Sequence, residues 1–159
     1  MKNITKFLFT LLLAGATSIA YAQCPNNNYQ YGSTSAASWS VGTLNTLSYC
    51  MYGGEYRYVY GLQAGTVYSF ETCGDSDFDT QLTIYDAVTG AYIAYNDDYC
   101  GLQSQVTFTS SGNPVRVLVD RYYCGNQSSC MTLKITRNSG CAVAVDPCNS
   151  ITDLSCGVT

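Results

Sequence analysis

The chain has 159 residues, with 7 basic and 11 acidic side chains, nine cysteines and no histidine. Without histidine, Ser-His-Asp and Cys-His catalysis and the histidine-dependent metalloenzyme motifs are excluded. The acidic balance argues against nucleic acid, whose phosphates need basic surfaces, and against electrostatic binding to anionic lipid.

Lys2 and Lys6, the apolar run from Phe7 to Ile19, and Ala20-Tyr21-Ala22 predict a signal peptide over residues 1–22, too short and poorly flanked to be a membrane span. Gln23 is a poor residue before a lipidated cysteine, which disfavours a lipoprotein reading of Cys24. Cleavage removes two lysines and leaves 5 basic against 11 acidic residues, a net charge of −6. About 137 residues remain, enough for one domain with a real core. The expectation is a secreted, extracellular or cell-surface protein with no transmembrane segment in its mature chain.

All nine cysteines lie after the signal. In an exported chain they read as disulfides, and the absence of Cys-x-x-Cys pairs and histidine disfavours zinc. The preferred pairing is Cys73–Cys100 across two acidic loops and Cys124–Cys130 within one turn, with Cys24–Cys50 third. The odd cysteine is unpaired, joined to another chain, or lacks a partner that a second module downstream would supply.

Helix signals are almost absent after the signal. Period-two alternation marks strands over Glu55–Tyr60, Thr66–Thr72, Thr80–Tyr85, Ala91–Tyr95, Gln105–Thr109, Pro114–Asp120 and Met131–Thr136. It puts Tyr56, Tyr58 and Tyr60 on one face, buries Tyr68 with Phe70 and Leu82 with Ile84, and buries Val115, Val117 and Val119 with Arg116 and Asp120 outward. An edge strand is expected around Trp39 to Leu44. Turn signals at Gly53-Gly54, Ala64-Gly65, Thr89-Gly90, Ser111-Gly112-Asn113 and Gly125-Asn126 separate the strands. The pattern predicts an all-β fold, an antiparallel β-sandwich or jelly-roll stabilised by disulfides. It spans residues 23–137, with residues 138–159 a linker and tail or the start of a second module.

Asp75, Asp77 and Asp79 alternate, and Asp86, Asn96, Asp97 and Asp98 follow on the next hairpin. Calcium takes six to eight oxygen ligands and acidic loops supply them, so these seven residues are a candidate calcium set. The EF-hand spacing is not met. The competing reading makes them turn formers whose carboxylates satisfy backbone N–H groups. A carboxylate pair such as Asp79 and Asp98 is the one arrangement with glycosidase character, but no cleft is apparent and no enzymatic activity is expected. Fifteen tyrosines either serve half-buried strand positions or form a face that stacks on sugars or grips protein.

The segments Gly54-Glu55-Tyr56, Ala64 to Cys73, Phe78-Asp79-Thr80-Gln81-Leu82-Thr83-Ile84-Tyr85-Asp86, Asn96-Asp97-Asp98 and Val115 to Asp120 resemble the bacterial pre-peptidase C-terminal domain, repeated in secreted proteins of Bacteroidota. The likeness covers about Ser48 to Ile135. Cys73, Cys100, Cys124 and Cys130 exceed the family's minimal pattern and fit its disulfide-bearing versions. The resemblance implies a jelly-roll appended to secreted proteases and adhesins, some members binding calcium. The expected function is a non-catalytic binding or spacer module that adheres to an extracellular protein or polysaccharide, or packs on neighbouring modules of its own protein. The alternative is a structural subunit or repeat of an extracellular fibre or stalk.

Overall fold

The computed structural model of the protein describes residues 24–139. Among them nine strands form: β1 (Tyr29–Ser35), β2 (Leu44–Gly53), β3 (Glu55–Tyr60), β4 (Val67–Glu71), β5 (Thr80–Asp86), β6 (Tyr92–Asn96), β7 (Gln105–Thr109), β8 (Val115–Arg121) and β9 (Gln127–Ser139). They build a five-stranded sheet in the order β1-β3-β8-β5-β6 and a four-stranded sheet in the order β2-β9-β4-β7. Every connection except the β5–β6 hairpin crosses from one sheet to the other, as in a jelly-roll. Pairing is antiparallel apart from β1, which joins the edge of β3 in parallel. The expected all-β sandwich is therefore the fold.

The alternation read from the sequence faces the sheets inward. Tyr68 and Phe70 on β4, Leu82 and Ile84 on β5, Val106 and Phe108 on β7, alternate valines on β8, and Met131, Leu133 and Ile135 on β9 form one core. Phe70 stacks on Phe108 with ring centroids 5.8 Å apart. Each such side chain contributes about 1.5–3 kcal/mol by leaving water.

Several expectations need correction. No strand forms over residues 39–43, and β2 begins only at Leu44. Trp39 packs partly against the core, and Val41 makes a lone bridge to Arg137. The edge strands this region supplies are β1 and β2, while β6 and β7 are the opposite edges of the two sheets. Asp120 does not face outward to solvent but is 2% exposed. The reason is a second layer that periodicity could not show. The segment Cys24–Asn28 crosses the outer face of the five-stranded sheet, so all seven residues of β5 are buried.

The six bridged cysteines are the six expected, but two partnerships differ. Cys73–Cys100 is present, while Cys24 pairs with Cys124 and Cys50 with Cys130. A Cys124–Cys130 bridge fails because Cys124 lies in the β8–β9 loop while Cys130 is already on β9, where its neighbour across the ladder is Tyr52. Cys24 lies over β5 and Cys50 is on β2 in the opposite sheet, which excludes the third expected pair. The signal peptide, the tail beyond Ser139 and Cys141, Cys148 and Cys156 fall outside the described residues. The strand β9 runs two residues past the boundary expected at 137.

Candidate functional site

Three loops meet at one end of the sandwich: 72–79 before β5, 97–104 after β6, and 122–126 after β8. Beneath them lies a buried polar knot. Thr72, Thr80 and Ser104 are 0% exposed. The hydroxyls of Thr72 and Thr80 are 2.7 Å apart, the Ser104 N–H donates to Thr72 Oγ1 at 3.0 Å, and the Ser104 hydroxyl donates to the Thr80 and Asp97 carbonyls. Buried hydroxyls are tolerated because each finds a partner. The Cys73–Cys100 disulfide, with Cα atoms 5.9 Å apart, and the buried Phe78 ring fix the first two loops to this knot.

A second chain of hydrogen bonds ties in the third loop. The Cys124 N–H donates to Gln81 Oε1 at 2.9 Å, Gln81 Nε2 donates to the Tyr95 hydroxyl at 2.7 Å, and that hydroxyl donates to Asp97 Oδ2 at 2.9 Å. Burial, and then the bond to Asp97, raise the Tyr95 pKa. The Tyr122 N–H donates to the Asp79 carbonyl at 3.0 Å. Tyr123 and Cys124 both have positive φ, 64° and 56°, a conformation that costs non-glycine residues of order 1–3 kcal/mol and persists where the surroundings impose it. Here the Cys24–Cys124 bridge and the Gln81 bond impose it. The turn presents Tyr122 and Tyr123 to solvent with ring centroids 4.1 Å apart, and Tyr123 is 83% exposed.

The seven acidic-loop residues do not converge. The segment 75–79 bends instead of extending, so its three carboxylates are not aligned. Asp75 forms an ion pair with Lys134, whose ammonium also donates to the Cys73 carbonyl at 2.9 Å. Asp86 lies at the far end of β5, roughly 23 Å from Asp79 at strand rise. There it caps the β5–β6 turn, accepting from the N–H groups of Val88 and Thr89 and from Asn113 Nδ2 at 2.8–2.9 Å. Those bonds, Asn113 first, hold its pKa below the ordinary range. Asn96 Oδ1 accepts from the Gln105 N–H, and Asp77 is exposed. What stays together is Asp79, Asp97 and Asp98. Burial raises the Asp79 pKa, Asp98 and then Asp97 raise it further, and Arg121 opposes them. One Asp79 oxygen is buried without a partner. Among the described residues, no three acidic or cysteine side chains stand close enough to hold a metal ion.

The sequence pattern marks Tyr122 and Tyr123 as loop aromatics able to stack on a ligand, but does not join them, or Thr72, Thr80, Ser104 and Gln81, to the acidic loops at one end. The signal available was Tyr122-Tyr123-Cys124-Gly125, a cysteine-bearing turn beside two aromatics. The chain matches no family model, and no curated protein is significantly similar to it.

Proposed function

We propose that this is a non-catalytic binding module of an exported protein, similar to the pre-peptidase C-terminal domain, and that it grips an extracellular protein or polysaccharide through the loop end. The three intramolecular disulfides among the described residues fit an oxidising environment. Among the described residues no helix is long and apolar enough to cross a membrane. The observation that carries the reading is the rigid display of Tyr122 and Tyr123 beside Asp79, Asp97 and Asp98. Aromatic rings offer apolar contact area at low entropic cost, and carboxylates accept from hydroxyl or ammonium groups. Binding loops on a disulfide-tied sandwich are organised before the ligand arrives, which lowers the ordering cost. Co-sedimentation of the oxidised mature chain with insoluble polysaccharide and with immobilised matrix protein tests this. Tyr123→Ala should lose at least tenfold in affinity while circular dichroism and melting stay unchanged. Undiminished binding by that variant would refute the assignment.

A second reading draws on the edge strands. Tyr29 and Tyr31 on β1 and Tyr49 and Tyr52 on β2 are all exposed, which suits packing between modules of a fibre. Sedimentation at rising concentration separates the two, since a structural subunit self-associates and a ligand-binding module stays monomeric.

A further inference from the structure

The strap Cys24–Asn28 is fixed at both ends. Cys24 is bridged to Cys124, and the Tyr29 N–H donates to the Gly54 carbonyl at 3.0 Å. Between these points its hydrogen bonds run to β5, β8 and β3, with Asn28 Nδ2 also within reach of the Glu55 and Val119 carbonyls at 3.2 and 3.3 Å. The Cys24 N–H donates to Thr83 Oγ1 at 3.2 Å, the Tyr85 hydroxyl donates to the Cys24 carbonyl at 2.7 Å, and Arg116 donates to Asn26 Oδ1 at 3.3 Å. Asp120 lies beneath Asn28, 2% exposed. One of its oxygens accepts from Asn28 Nδ2 at 3.0 Å, and the other is buried with no partner.

Among the described residues no cation neutralises this carboxylate. The strap carries no charged side chain. On β5 the neighbours are Gln81, directly opposite Asp120, and Tyr85. On β3 the near charge is Glu55, whose carboxylate turns away to accept from the Tyr52 N–H. On β8, Arg116 is held by Asn26 and lies 5.4 Å from the Tyr56 ring centroid, and Arg121 acts on Asp79. A charged carboxylate under these conditions loses hydration without gaining a counter-ion. Burial raises the Asp120 pKa to about 6, with Asn28 opposing.

We propose that the burial of Asp120 beneath the strap makes it a pH-sensitive latch: the strap lies closed over the neutral carboxyl and loosens when the group is charged, because one carboxylate oxygen has no partner under the strap and regains hydration only when the strap lifts, and the single bond from Asn28 does not offset that loss. In the open state water reaches the carboxylate and its pKa returns toward the ordinary value, so opening grows as pH rises through the closed-state pKa. The Cys24–Cys124 bridge keeps the opened strap tethered, and the strip of Thr83, Tyr85 and Leu118 becomes accessible.

Hydrogen exchange on the disulfide-intact mature chain tests the latch at pH 5, 6 and 7.5, corrected for intrinsic rates. Protection of the Cys24 and Tyr29 amides should fall about tenfold from pH 5 to 7.5, while amides of β4 and β7 hold steady. In Asp120→Asn the protection should be flat with pH. Flat protection in the native chain, or a slope retained in Asp120→Asn, would overturn the proposal. Should that variant not fold, carbon-detected titration of the Asp120 carboxyl in the native chain decides, because a midpoint at the ordinary aspartate value leaves no latch and one near 6 keeps it.

Discussion

Cys24 and Cys124, 100 residues apart in the chain, are joined with their Cα atoms 5.3 Å apart, and this bond couples two features that look unrelated in sequence. It clamps the strap over β5, and it fixes the strained turn that displays Tyr122 and Tyr123. The outer face of the sheet and the loop end are thus one mechanical unit.

The three bridges close loops of different size, with separations of 100, 80 and 27 residues. If constraint of the unfolded chain dominates, their removal costs about 4.7, 4.5 and 3.5 kcal/mol in that order. Paired Cys→Ser variants in denaturant melts should show Cys73/Cys100 as the mildest loss. Peptide mapping without reduction should recover the Cys24–Cys124 and Cys50–Cys130 pairs.

Asp120 makes stability depend on pH. Its folded pKa, about 6, lies above the unfolded value of 3.8, so the native state binds the proton more tightly. That contribution is full below pH 4 and is lost as pH rises through 6. Asp120→Asn should therefore be more stable than the native chain by up to about 3 kcal/mol at pH 7.5, and equal to it near pH 4. Chemical denaturation at the two pH values checks this.

Asp86 works in the opposite sense. Its folded pKa is depressed by the turn bonds, so its stabilisation is present above the unfolded pKa and is lost as pH falls through the folded one. Asp86→Ala leaves two turn N–H groups without their acceptor and should cost about 1–3 kcal/mol at pH 7. It should leave ligand binding at the loop end intact.

Much of this was legible in the sequence. The strands that bury one face against the core, from Glu55-Tyr60 to Met131-Thr136, alternate cleanly because one side meets apolar neighbours and the other does not. The strand β2 escaped because its register slips at Thr46/Ser48, at Ser48/Met51 and at Tyr52/Gly53, which breaks period two. The strand β1 escaped because it is an exposed edge with little apolar content, held by backbone pairing to β3. The outward reading of Asp120 assumed a single covered face. Two cysteine partners were misjudged because proximity in sequence does not encode which strands the sheet order places together. Carboxylates at the two ends of β5 looked like one set for the same reason.

Gly54 turns the chain from one sheet to the other at φ 95°, and an added Cβ would collide with Asn126 Oδ1. Gly54→Ala should destabilise by about 2 kcal/mol or more, from the backbone conformation and the collision together. Adding Asn126→Gly should recover only the collision part, as read from the melting midpoints of the single and double variants.

If the loop end is the binding surface, ligand contacts fall on its three loops. The most direct measurement is a map of amide chemical shifts in the 15N-labelled mature chain as a soluble fragment of extracellular polysaccharide or matrix protein is added. Perturbations should concentrate at residues 76–79, 96–99 and 121–125, with β1 and β2 unaffected. Perturbations centred on Tyr29, Tyr31, Tyr49 and Tyr52, with the loop end silent, would contradict it and favour packing between modules.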